Sequence, residues 1–133
     1  MELNEYQKRA MSTCMPSCEN ISYMLLNLVG EVGEFASKVA KAVRKDQVKI
    51  GWWEEGKEAD ENDLIPTCSY FDWKEMDEEL KKEAGDILWQ LSGLCTVMGW
   101  SLEDIAQMNL DKLAARKKAG TIVGNGDGII RDK

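Results

Sequence analysis

Residues 24–39 read Met24-Leu25-Leu26-Asn27-Leu28-Val29-Gly30-Glu31-Val32-Gly33-Glu34-Phe35-Ala36-Ser37-Lys38-Val39. Apolar side chains recur at steps of three and four, the period of a helix with one buried stripe. Met24, Leu28, Phe35 and Val39 form the seam, and Leu25, Val29, Val32, Ala36 and Val43 are expected to widen it. Between Leu28 and Phe35 the seam passes through position 31, where an apolar residue belongs and Glu31 stands. Glu34 follows one turn on, about 60° around the helix.

A second stretch makes the same departure. Met76, Leu80, Ile87, Leu91, Leu94 and Met98 are expected to face inward along a helix opened by Asp72 and Glu75, and position 83 of that seam is Glu83. Asp86 follows it by three. An acid three residues after an acid recurs by chance in so acidic a chain; position, not spacing, carries the information. An unpaired carboxylate on a buried stripe costs several kcal/mol or stays protonated. Two helices making the same costly choice suggest that their acids face one cleft with cations between them. The alternative is a pair of solvated acidic faces with i,i+4 partners, as Glu34 with Lys38 would form. The donor set is all oxygen, which favours Mg²⁺, with Mn²⁺ next, over zinc or iron. Gly30, Gly33 and Gly85 flank the acids and suggest a close backbone approach or room for a ligand.

The rest of the chain frames these two helices. Residues 2–13 predict a short first helix. Pro16-Ser17 reads as a helix entry with Ser17 as cap, opening a long helix from about Cys18 to Arg44. Residues 46–72, with Gly51-Trp52-Trp53, a run of acids and Pro66, break the pattern and read as a variable loop or insertion. Gly99 ends the third helix. Ser101 caps a fourth, which runs to about Lys118, and Gly120 stops it. The expected organisation is one all-α domain of about four helices over residues 1–120, then a glycine-rich tail over 121–133.

Composition excludes more than it assigns. Seventeen Lys plus Arg against 24 Asp plus Glu leave a net charge of −7, a poor general binder of nucleic acid or anionic membrane. The absence of His removes the Ser-His-Asp triad, the Cys-His pair and imidazole ligands. Cys14, Cys18, Cys68 and Cys95 lack CxxC spacing and read as reduced, inert thiols. The start, Met1-Glu2-Leu3-Asn4-Glu5, is acidic where a signal peptide is basic. The longest apolar stretch is far shorter than the ~20 residues of a membrane helix. A cytoplasmic protein is expected.

The chain resembles the MazG-like, all-α nucleoside triphosphate pyrophosphohydrolases. The resemblance rests on 26–34 (LNLVGEVGE), 83–91 (EAGDILWQL), 99–105 with 109–116 (GWSLEDI, then NLDKLAAR) and 120–127 (GTIVGNGD), in family order. It implies Mg²⁺-dependent cleavage between the α- and β-phosphates of a (deoxy)nucleoside triphosphate. Glu31, Glu34, Glu83 and Asp86 match the family's metal-binding acids. Asn109, Lys112 and Arg116 match positions that meet the nucleotide or its phosphates, and Lys38 is a weaker candidate one turn beyond Glu34. The bundle is expected to be completed by homodimerisation, as a dimer or a dimer of dimers. The base has Trp52, Trp53, Trp73 and Trp89 as candidate stacking partners, although packing roles suit each of them. The 46–72 segment is longer than in the simplest members. Arg131 stands late after Asp127, which leaves the tail's role open. Other readings are a relative acting on dUTP or phosphoribosyl-ATP, and a non-catalytic helical nucleotide-binding or interaction module.

Overall fold

Among the described residues four α-helices follow one another: α1 (Leu3–Met11), α2 (Ile21–Arg44), α3 (Lys74–Val97) and α4 (Leu102–Lys118). A computed structural model describes residues 1–45 and 74–120, and among them there is no strand. The expected loop at 46–72, the Asp72 cap, Cys68, Trp52, Trp53, Trp73 and the tail with Asp127 and Arg131 lie outside the described residues. No helix among the described residues is long and apolar enough to cross a membrane.

Local chemistry sets four of the helix ends. Gly99 and Gly120 adopt φ of 74° and 72°, a left-handed turn that glycine enters without a Cβ clash. The Ser101 hydroxyl accepts the Asp104 amide at 3.2 Å and caps α4, worth about 1 kcal/mol. The start of α2 differs from expectation. Pro16–Cys18 closes a 3₁₀ turn instead of opening the helix. Asn20 takes the capping role expected of Ser17: its Oδ1 accepts the Tyr23 amide at 2.8 Å, and its Nδ2 donates to the Ser17 carbonyl at 3.0 Å.

The chain divides into two compact units. The first comprises Met1–Met24 with Leu91–Lys133. Here two amides of α1 stitch the turn between α3 and α4. Gln7 donates to the Thr96 hydroxyl and the Trp100 carbonyl and accepts the Leu102 amide, all between 2.7 and 2.9 Å. Asn4 donates to Glu103 and accepts the Ser101 hydroxyl. Met24, Ser92 and Cys95 are fully buried. A Cβ on Gly93 would overlap the Met24 thioether, so glycine makes room for that side chain. Burial pushes the Cys95 thiol above its ordinary pKa, as for a small core residue rather than a nucleophile. Met98, expected inward, is exposed beside the helix-ending Gly99.

The second unit is Leu25–Gln90. Leu28, Phe35 and Val39 of α2 and Met76, Leu80 and Ile87 of α3 are half-buried, while Ala42, Glu83 and Gln90 are buried. The seam is as expected, but its widening is not. Leu25, Val29, Val32 and Val43, all expected to widen it, stand 47%, 73%, 49% and 37% exposed, Ala36 is exposed as well, and the neighbouring Leu26 is 75% exposed. The reason is geometric: α3 is the sole described neighbour of α2 in this unit, and one helix covers one stripe.

Candidate metal centre

Glu31 on α2 and Glu83 and Asp86 on α3 each offer a carboxylate oxygen within 4.8 Å of the other two. Helix periodicity puts them there. Positions 31 and 83 lie on the two seams, and position 86, one turn beyond 83, falls at the exposed margin. Glu83 is 8% exposed. Its Oε1 meets the Lys38 ammonium at 3.1 Å, and the same ammonium reaches Glu79 Oε2 at 3.3 Å. Lys38 thus pairs across to α3 and not along α2 with Glu34, so the solvated i,i+4 pair is not the arrangement found. The hydrogen bond to Glu83, chiefly, holds the Lys38 ammonium above its ordinary pKa.

Glu31 is arranged like Glu83. Its Oε1 accepts the Asn27 amide at 3.3 Å. The other oxygen of each carboxylate, Glu31 Oε2 and Glu83 Oε2, is buried with no hydrogen-bond partner. A buried anionic oxygen without a donor is costly. Two of them beside a third carboxylate fit a hard divalent cation, which takes oxygen ligands and cancels the repulsion. Glu34 lies outside the three-residue cluster, yet its charge is felt at Glu31. Burial first, then the charges of Glu34, Asp86 and Glu83, push the Glu31 carboxyl above its ordinary pKa, against the lowering effect of the Asn27 bond.

The glycines mark no close backbone approach. A Cβ at Gly33 or Gly85 would meet nothing within 4 Å, and one at Gly30 would sit in ordinary contact, 3.6 Å from Asn27 Oδ1. Asn109, Lys112 and Arg116 follow one another on α4, in the first unit; the first two are exposed and Arg116 is half-buried. Trp89 is half-buried on α3. The sequence reading missed Asn27 and Gln90. Asn27 Nδ2 donates to Gln90 Oε1 at 2.7 Å as well as to Glu31. A signal was available: Asn27 stands one turn before Glu31, and Gln90 lies three residues after Ile87, beside the seam residue Leu91.

Carboxylates brought together from two helices could hold a divalent cation, and a cation so held could in turn take an oxyanion ligand. Comparison narrows the class. The chain belongs to the MazG nucleotide pyrophosphohydrolase domain family, which it matches over residues 19–121. It is also similar to the Gene 37 protein of Mycobacterium phage L5, 31% identical over 134 residues that span 96% of this chain and 98% of the phage protein. No solved structure matches it significantly.

The Glu31 environment sets a pH dependence. Its folded-state pKa lies above the ordinary value of 4.5. Between those two values the folded state binds more protons than the unfolded state, so metal-free stability falls as pH rises through the window. Glu31→Gln is expected to flatten that part of the profile. Metal-free melting curves from pH 4 upward, wild type against variant, check it; parallel curves would count against a crowded, desolvated Glu31.

Proposed function

We propose that the protein hydrolyses (deoxy)nucleoside triphosphates between the α- and β-phosphates, giving nucleoside monophosphate and pyrophosphate, with Mg²⁺ as cofactor and Mn²⁺ as a substitute. One observation carries the reading: acids from α2 and α3 converge, and two of them keep a buried oxygen without a partner. Membership of a nucleotide pyrophosphohydrolase family supports the substrate class.

Glu31, Glu83 and Asp86 would hold the cation, with Glu34 alongside. A divalent ion bound there would neutralise phosphate oxygens and make a neighbouring water more acidic. With no His in the chain, a carboxylate of this group is the proton acceptor for the attacking water. The water oxygen bonds to the α-phosphorus, the bond from that phosphorus to the bridging oxygen breaks, and pyrophosphate leaves with the bridging oxygen. Lys112 and Arg116, four apart on one face of α4, are suited to grip the departing pyrophosphate, and Asn109 to meet the nucleotide. The working unit is a homodimer, supported by the exposed apolar residues of α2.

The test is pyrophosphate release from canonical and modified nucleotides, dUTP and phosphoribosyl-ATP included, with and without Mg²⁺. In ¹⁸O-water the label is expected in the monophosphate. Nucleoside diphosphate and labelled orthophosphate as first products would overturn the bond assignment.

A further inference from the structure

We propose that Asn27, anchored by Gln90, is a positioning residue that fixes which oxygen of Glu31 faces the cation. This rests on the reading that Glu31 is a metal ligand. Asn27 Nδ2 carries two hydrogens and has two acceptors, Gln90 Oε1 at 2.7 Å and Glu31 Oε1 at 3.3 Å, so both bonds form at once. The opposite orientation of the amide would set its oxygen against the Glu31 carboxylate, which favours the nitrogen where it is. The anchor is firm, because Gln90 is 1% exposed and has little freedom to move. A rigid amide on α3 therefore orients an amide on α2, which holds one oxygen of Glu31 one turn away. The other oxygen, Oε2, stays buried without a protein donor. Lys38 holds Glu83 Oε1 in the same manner and leaves Glu83 Oε2 bare. Each seam carboxylate is thus clamped through one oxygen and open at the other. The Asn27 clamp is the cleaner to test, because it is neutral: removing it changes orientation without changing the charge around the cation.

A neutral group that orients a ligand typically contributes about 10–100-fold in metal affinity when lost. The experiment titrates Mn²⁺ alone into the 133-residue chain by calorimetry, without nucleotide, for wild type, Asn27→Leu and Asn27→Ala, with metal-free melting temperatures alongside. Asn27→Ala removes the donor without adding bulk, should Asn27→Leu pack badly. The expected result is Mn²⁺ binding by wild type and about 10–100-fold weaker binding by folded variants at unchanged stoichiometry. A merely structural Asn27 would lower the metal-free melting temperature and leave affinity unchanged, and that result overturns the proposal. Wild type that fails to bind Mn²⁺ overturns the metal reading itself, and the positioning role with it.

Discussion

Glu83→Gln is expected to lower kcat/KM for the best nucleoside triphosphate by roughly 1000-fold or more, equivalent to about 4 kcal/mol of transition-state stabilisation. Glutamine has the shape of glutamate, so the packing of this 8% exposed side chain is kept. What goes is the charge on an oxygen with no other partner than the proposed cation. Losing a ligand atom should exceed the ~10–100-fold that groups orienting a ligand contribute. Lys38 loses one ion pair and keeps Glu79. Metal-free stability is expected to stay equal or rise, since one of three crowded acids is neutralised. Stopped-time assays across Mg²⁺ concentration, paired with thermal melts, separate the two effects. Turnover near that of wild type at saturating Mg²⁺ would remove Glu83 from the ligand set.

The acids were legible in the sequence because a helix repeats its face every three to four residues. Once Met24, Leu28 and Phe35 define a stripe, a charge at position 31 is an anomaly, and the same logic finds position 83. The helix stops were legible because Gly99, Ser101 and Gly120 act through their own backbone and side chain. The Asn20 cap was not, because Ser17 competes for it and the 3₁₀ turn at Pro16–Cys18 decides the outcome. The clamps on Glu31 and Glu83 were not legible either. Asn27 with Gln90 and Lys38 with Glu83 are pairings between α2 and α3, and which residue of one helix meets which of the other depends on packing that no single-helix period contains. The same holds for exposure. Periodicity says that Val29 and Val32 are apolar neighbours of the seam, but only the number of helices around α2 decides whether they are covered.

That uncovered surface leads to the second large effect. Leu25, Leu26, Val29 and Val32 expose apolar side chains within two turns of α2, and apolar residues clustered in this way mark an interaction surface. A second copy of the chain is the proposed occupant. In a two-fold symmetric interface each residue appears twice, so one substitution acts at two places. Burying a carboxylate against apolar neighbours costs at least ~3 kcal/mol, or about 6 kcal/mol for both copies, a loss of roughly 10⁴-fold in association. Val29→Glu is therefore expected to turn the dimer into a monomer at micromolar concentration by light scattering. Val29 is 73% exposed in the single chain, so the new acid meets water there and leaves the fold of the monomer intact. Wild type that is already monomeric, or a Val29→Glu protein that stays dimeric, would show that this face of α2 does not hold the two copies together.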